Sequence, residues 1–258
     1  MNQRNIRLIL QYDGTDYIGW QRQPAYRGCS IQETVEKALA RTLYHPVSLD
    51  ASGRTDAGVH AFAQVANFRT ENPIPCPGLF LSLNHLLPPD ILVREVSEAE
   101  PDFHARLLAR AKTYRYCLCQ GRLPLWDRRW AWDLGKKLDL ELMQKAAVSF
   151  IGEHDFRSFT VSSCRAKSFS RRIESIRIWK PEEDKNEMPW KIFPGTLLIE
   201  VTGSGFLQKM VRLMVARLVA IGKKELPPEA IAEYLAGKRQ TPAPPAPPQG
   251  LMLWEVRY

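Results

Sequence analysis

The sequence predicts a mixed fold of the α+β or βαβ type, because strand-like and helix-like patterns alternate over about its first hundred residues. Residues 6–11 form a short strand pattern. A capping box, Ser30 to Glu33, then precedes apolar residues at helical spacing up to Leu43, and Pro46 is predicted to end that helix. Three further patterns complete the order strand, helix, strand, helix, strand: residues 62–68, 79–87 and 91–96. This order fits either an α+β or a βαβ-type half domain.

The second half of the chain has a loosely similar order of elements, without a sequence repeat. Residues 112–118 alternate as a strand, and Asp139 is predicted to cap a helix. The other predicted elements are strands at 173–178, 196–202 and 251–258, and helices at 206–221 and 227–237. The charged residues 182–187 predict an exposed hairpin end. The proline-rich residues 242–248 predict an extended connector to the last strand, with a partner-binding arm as the alternative.

Composition narrows the class of protein. The chain has 258 residues, 45% of them apolar, and its longest apolar runs are too short for a membrane span. The N-terminus leads into a strand pattern, so no signal peptide is predicted. The five cysteines are odd in number and form no Cys-x-x-Cys pair, which favours a reducing, cytoplasmic compartment. The five histidines are scattered, so no metal site is predicted.

The net charge of +8 is unevenly distributed. Residues 1–105 contain 9 Lys and Arg against 12 Asp and Glu, a net −3, whereas residues 106–258 contain 27 against 16, a net +11. We therefore expect two parts, 1–105 and 106–258, with the second binding a polyanion such as nucleic acid. The alternative is a surface whose charge serves only solubility.

A glycine-flanked loop at residues 52–60 is the strongest candidate for a catalytic site. It reads Ser-Gly-Arg-Thr-Asp-Ala-Gly-Val-His and lies between a predicted helix and a predicted strand. Arg54 stands two residues before Asp56, and a nearby guanidinium favours an ionised carboxylate. The pattern predicts a reactive Asp56 on a loop held by rigid elements. The alternative is an ordinary turn in which the Asp bonds its own backbone.

The second half supplies further candidates. Tyr114 lies on a predicted strand, where a tyrosine is more often a core or sheet-surface residue than a catalytic one. Arg212 lies in a mostly apolar helix, where a buried cation is costly unless an anion such as Asp56 pairs with it. The alternatives are an exposed stripe or a structural acid. Four basic residues among serines suit phosphate contacts, or else a solvated loop: Arg165, Lys167, Arg171 and Arg172.

Several motifs resemble those of the tRNA pseudouridine synthase A (TruA-type) family, and the resemblance covers nearly the whole chain. The central one is the uninterrupted stretch Gly53 to His60. The others are Asp-Gly-Thr with Gly-Trp-Gln-x-Gln near the N-terminus, Phe-His-Ala-Arg with Thr-Tyr-Arg-Tyr from residue 103, and Gly-Phe-Leu with Met-Val-Arg from residue 205. Two departures are Ala216, where members often have Gly, and a longer proline run before Gly250.

The resemblance implies an α+β fold in which two similar halves share a bent, mostly antiparallel sheet flanked by helices, with a basic cleft between them. It implies that Asp56 is the nucleophile, that Arg212 pairs with it and that Tyr114 contacts the target base. Arg54 would fill the space of the flipped base or hold its phosphate. The implied substrate is the tRNA anticodon stem-loop at positions 38, 39 and 40, bound by a homodimer without a cofactor.

Two other functions remain open on the sequence. One is a tRNA-binding or folding factor without catalysis, against which the joint presence of Asp56, Tyr114 and Arg212 argues. The other is an Asp-dependent nucleoside hydrolase or glycosylase. That enzyme would release free uracil, whereas an isomerase releases only the C5 proton.

Overall fold

The computed structural model describes residues 3–181, 193–239 and 244–258. The strands, in chain order, are β1 (Arg4–Tyr12), β2 (Asp50–Ala51), β3 (His60–Thr70), β4 (Ile91–Ala99), β5 (Ala111–Cys119), β6 (Trp132–Asp133), β7 (Gly152–Asp155), β8 (Ser170–Trp179), β9 (Thr196–Gly203) and β10 (Leu251–Arg257). The α-helices are α1 (Ile31–Leu43), α2 (Cys76–Leu86), α3 (Leu140–Ala147), α4 (Met210–Gly222) and α5 (Ala230–Leu235). The charged run 182–187 and residues 242–243 of the proline-rich stretch lie outside the described residues.

The fold is α+β, with mixed strand pairing and flanking helices, as the sequence predicts. The chain divides into two compact units. One comprises Met1–Arg110 and Met252–Tyr258, and the other comprises Ala111–Leu251. Among the described residues, no helix is both long and apolar enough to cross a membrane.

The first unit has the strand order β4-β1-β3-β10. β1 is antiparallel to both β3 and β4, while β10 is parallel to β3, with Met252 opposite His60. The short β2 pairs with β3 and leads into the 52–60 loop. Helices α1 and α2 pack together, and α2 packs on β4. The loop is therefore anchored on one side by α1 and β2 and on the other by β3.

Helix α1 has the predicted bounds, but its end has a different cause. The Ser30 hydroxyl accepts a hydrogen bond from the Glu33 N–H at 3.3 Å, which confirms the predicted cap. The helix stops because Tyr44 adopts a left-handed conformation with φ of 60°. Pro46 comes too late to end the helix, so that part of the prediction is wrong.

The second unit has the strand order β5-β9-β8-β7, with antiparallel neighbours. β6 is parallel to β5, and α3 packs against α4 and β8. The Asp139 carboxylate caps α3 by accepting from the Leu142 N–H at 3.2 Å, as predicted.

Helix α4 begins at Met210 and not at Phe206 as predicted. Lys209 has a φ of 60°, which an α-helix does not accommodate. A turn therefore precedes the helix, closed by the Met210 N–H, which donates to the Leu207 carbonyl at 3.1 Å. Apart from Ala216 and Ala220, the residues of α4 are buried, including two arginines, Arg212 and Arg217. A helix buried on most sides fixes its side chains closely, and this rigidity applies to both guanidinium groups.

Candidate active site

Asp56 lies in the loop between β2 and β3, half-buried, while Arg54 is exposed. Backbone hydrogen bonds tie this loop to the segment after β1. The Trp20 N–H donates to the Thr55 carbonyl at 3.1 Å, and the Gly58 N–H donates to the Tyr17 carbonyl at 3.3 Å. The loop is thus held on both sides of Asp56. The predicted reactive carboxylate on a rigid loop is compatible with this geometry.

Two glycines outside the loop allow this close approach. Gly19 has a φ of +103°, and a Cβ placed there would lie 2.6 Å from the Thr55 carbonyl oxygen and 3.0 Å from the Asp56 carbonyl carbon. A Cβ on Gly14 would collide with the Val59 carbonyl. The sequence alone did not predict a role for either glycine. The Asp-Gly-Thr and Gly-Trp motifs were the signal that could have found them.

Buried side chains complete the support of the loop. The Tyr12 hydroxyl and the Thr55 hydroxyl form a hydrogen bond of 2.9 Å. The Ser52 hydroxyl donates to the Gln64 side-chain oxygen at 2.7 Å, and the Gln64 amide donates to the Gly53 carbonyl at 2.8 Å. Gln64 is fully buried, so these bonds satisfy polar groups that water cannot reach.

His60, the last residue of the motif, is part of the scaffold. It is 1% exposed, and its Nδ1 lies 3.0 Å from the Gly14 nitrogen. Asp13 Oδ1 lies 3.1 Å from the same nitrogen. Burial raises the pKa of Asp13, but its interactions with His60 and Thr15 outweigh this effect and lower the pKa to about 2. Asp13 therefore stays ionised beside the loop at neutral pH.

Arg212 lies in α4 and is only 8% exposed, so the alternative of an exposed stripe is wrong. Its Nε donates to the Ala246 carbonyl at 2.7 Å. Residues 244–247 precede a 3₁₀ turn at Pro248–Gly250 that leads into β10, as expected for a connector. The Pro247 carbonyl accepts a hydrogen bond from the buried Tyr116 hydroxyl at 2.9 Å. This segment is packed against its unit and helps to orient Arg212.

Tyr114 lies in the middle of β5, opposite Val201 in β9, and is 7% exposed. Its ring meets Phe206 edge to face, with 5.1 Å between the centroids. This packing agrees with the core-tyrosine alternative and also places the ring beside the turn that precedes α4. Contact with a target base stays a prediction.

The basic residues at 165–172 do not all share one kind of structure. Arg165 and Lys167 are exposed in the loop before β8. Arg171 and Arg172 are the second and third residues of β8, so the loop interpretation is wrong for them. Arg171 donates to the Ser168 carbonyl at 3.0 Å, which connects the strand to the loop. In the described part of the chain, no group of three or more His, Cys, Asp or Glu side chains is arranged to hold a metal ion.

Comparison with known proteins defines the class. A family model described as tRNA pseudouridine synthase matches residues 8–106 and 146–258. The match covers most of the chain, including Asp56 and the whole of α4. The chain therefore belongs to the tRNA pseudouridine synthase family, whose members isomerise uridine to pseudouridine.

Individual relatives narrow the class to one branch of the family. The chain is 48% identical over 258 residues to tRNA pseudouridine synthase A of Geobacter sulfurreducens, covering 99% of this chain and 100% of the relative. It is 44% identical to the same-named protein of Geotalea daltonii, with the same coverage. The Moorella thermoacetica protein of that name is 40% identical over 98% of this chain and 99% of its own. The family resemblance inferred from the motifs is confirmed.

Among solved structures, an archaeal box H/ACA sRNP Nop10–Cbf5 complex matches with a TM-score of 0.32 and 13% identity. It covers 83% of this chain and 44% of that one. This similarity is too low to support a conclusion about function.

Proposed function

We propose that this chain converts uridine to pseudouridine in the anticodon stem-loop of tRNA, at positions 38, 39 and 40, with Asp56 as the nucleophile. Full-length similarity to enzymes named tRNA pseudouridine synthase A supports the reaction and the tRNA substrate. The observation that carries the assignment of Asp56 is the construction of its loop. Thr55, Val59 and His60 are buried and hold the loop, whereas the Asp56 carboxylate stays half-exposed on it.

The reaction is an isomerisation, and its atoms balance without a co-reactant. The Asp56 carboxylate attacks either C1′ of the ribose or C6 of the uracil, and the bond between N1 and C1′ breaks. The uracil turns, C5 forms the new bond to C1′, C5 loses its proton and N1 gains one. Asp56 is then released. No electron transfer and no net hydrolysis occur, so the chemistry calls for no cofactor.

Arg212 and Tyr114 complete the proposed site. Arg212 would hold Asp56 ionised and in position, because a rigid, buried guanidinium attracts a carboxylate strongly. Tyr114 would stack on the flipped uracil and assist the loss of its C5 proton. Arg54, exposed beside Asp56, would occupy the space left by the flipped base or bind its phosphate. These roles explain why the family motifs surround these particular side chains.

Binding of the tRNA would fall mainly to residues 106–258, which carry the excess positive charge, and catalysis to the Asp56 loop in residues 1–105. Arg165, Lys167, Arg171 and Arg172 would contact phosphates. In this proposal the two similar halves share a bent sheet with a basic cleft for the RNA. The active form would be a cytoplasmic homodimer with one tRNA spanning both subunits.

The test is turnover of tRNA transcripts labelled with tritium at C5 of uridine. We expect tritium release without free uracil, and loss of release when the uridines at positions 38, 39 and 40 are replaced by cytidine. Release of free uracil would instead indicate a glycosylase. Tight binding without any tritium release would indicate a tRNA-binding factor.

A further inference from the structure

The second unit contains a cavity of about 920 Å³ that the proposed chemistry does not use. Its walls come from α4, α5, the 3₁₀ turn at Arg157–Phe159 and the loop that follows this turn. Its volume lies near the upper end of the range of roughly 300–1,000 Å³ that is typical of ligand pockets. The cavity is therefore large enough to receive a nucleotide.

Arg217 and Tyr234 lie next to each other on the wall of the cavity. Arg217 is 7% exposed, and its guanidinium lies 4.4 Å from the centroid of the Tyr234 ring. Tyr234 is 1% exposed, and the Arg239 guanidinium also lies near its ring, 5.8 Å from the centroid. A guanidinium on the wall of the cavity provides donors that suit a phosphate.

The surroundings of the cavity are basic. Its lining includes Ser162 and Cys164, and the same loop continues to the exposed Arg165 and Lys167. Asp155 and Arg157 also line the cavity. The Arg157 guanidinium lies 3.5 Å from the Asp155 carboxylate, so it offsets that negative charge. A polyanion bound along this loop would therefore reach the cavity, which favours RNA over an unrelated anion.

We propose that this cavity receives one phosphate-bearing nucleotide of the bound tRNA, in addition to the uridine that reacts. The phosphate contacts Arg217 and Arg157, and the base lies against the apolar part of the lining, Leu213 and Phe169. The inference rests on the proposed function for its ligand, since tRNA is the RNA concerned. It adds a positioning site that holds the substrate while another nucleotide is modified.

Cys164 offers a direct probe of the cavity. Burial raises the pKa of its thiol, but hydrogen bonds from Thr160 and from nearby backbone outweigh this effect and lower it, which favours the reactive thiolate. Cys164 is also partly exposed, so an alkylating reagent can reach it. The rate of iodoacetamide alkylation at Cys164 is measured by mass spectrometry with no ligand, with inorganic phosphate and with tRNA. Cys76, in the other unit, serves as the internal reference.

We expect tRNA to slow alkylation of Cys164 by about tenfold or more and inorganic phosphate to slow it much less. The same protection is expected in the Asp56→Ala variant, because binding of a nucleotide in the cavity does not depend on catalysis. Unchanged alkylation of Cys164 at saturating tRNA would overturn the proposal even if the enzyme is active. Equal protection by inorganic phosphate would show that a free anion, and not RNA, is the ligand.

A pair of matched variants distinguishes a specific contact from general charge. Arg217→Gln should weaken tRNA binding by about tenfold, because it removes a charge-assisted contact. Arg177→Gln removes the same charge from β8, where the exposed arginine lies 4.8 Å from the Trp179 ring and does not line the cavity. We expect this control to weaken binding by less than about threefold. Equal effects of the two variants would overturn the assignment of Arg217 to the nucleotide site. If Arg217→Gln does not fold, the protection of Cys164 from alkylation in the unaltered protein decides whether tRNA occupies the cavity.

Discussion

Arg212 and Ala246 are joined by two hydrogen bonds that run in opposite directions. The Arg212 Nε donates to the Ala246 carbonyl at 2.7 Å, and the Ala246 N–H donates to the Arg212 carbonyl at 3.1 Å. Prolines, which have no backbone N–H, occupy positions 244, 245, 247 and 248. Within residues 244–248, Ala246 is therefore the residue that can donate a backbone hydrogen bond. The alanine between the prolines therefore has a defined role, and it couples the connector to a proposed catalytic side chain.

The first prediction is that Ala246→Pro lowers turnover. Proline keeps the extended backbone and the carbonyl but removes the N–H that donates a hydrogen bond to the Arg212 carbonyl. We expect the free energy of unfolding to fall by about 1 kcal/mol, and kcat to fall more than tRNA affinity. Urea unfolding and steady-state kinetics measure both quantities. Pro244→Ala, at an exposed position of the same run, is the control and should change neither.

The second prediction concerns the proposed Arg212–Asp56 pair. Arg212→Met should greatly reduce the single-turnover rate with a modest loss of tRNA affinity, and Arg212→Lys should restore part of the rate because it keeps the charge. Combined with Asp56→Ala, Arg212→Met should cause no further loss, because residues that act as one unit are not additive. Full activity of Arg212→Met would show that Arg212 has a different role.

The third prediction follows from the close approach at Gly19. Gly19→Ala should displace the Asp56 loop, because the new methyl group would meet the Thr55 carbonyl at 2.6 Å. We expect a loss of roughly 2 kcal/mol or more in the free energy of unfolding and a marked fall in turnover. Gly135→Ala also has positive φ, at +64°, but has open space around it. That variant isolates the backbone strain, about 1 kcal/mol, and should retain activity.

The fourth prediction is a pH dependence of stability that depends on Asp13. The folded-state pKa of Asp13 is lowered from 3.8 to about 2, so its stabilising contribution is complete above pH 3.8 and disappears as the pH falls through about 2. The contribution is about 2 kcal/mol at neutral pH. Asp13→Asn should therefore be less stable than the unaltered protein at pH 7 and nearly equal to it near pH 2. A stability difference between Asp13→Asn and the unaltered protein that does not depend on pH would contradict this account. Asp16→Asn, at an exposed position, is the control.

Much of the fold could be predicted from local patterns. The caps at Ser30 and Asp139 are each encoded within a few residues, and the structure contains both. The alternation of residues 112–118 predicts a strand, and β5 forms there, but it is buried on both faces, with Arg115 paired to Glu200 at 2.7 Å. The start of α4 could not be predicted, because the apolar run continues through the turn that Lys209 creates. The return of β10 to pair with β3 depends on contacts between residues far apart in the sequence.

The same limit applies to the candidate site. The motif from Gly53 to His60 points to Asp56, but nothing local distinguishes a reactive side chain from one that holds the loop. His60 could have been taken for a catalytic base, whereas its burial and its contacts with Gly14 and Asp13 make it structural. The cavity at Arg217 and Tyr234 brings together two helices and a distant loop, which no sequence spacing reveals.

The most direct test of the account is C5 tritium release by Asp56→Asn, which keeps the size of the side chain and removes its charge. Asp56 is half-buried, and circular dichroism and tRNA affinity show whether the variant is folded. We expect tRNA binding within about threefold of the unaltered enzyme and no detectable tritium release. Normal release by Asp56→Asn would contradict the central claim that this carboxylate is the nucleophile.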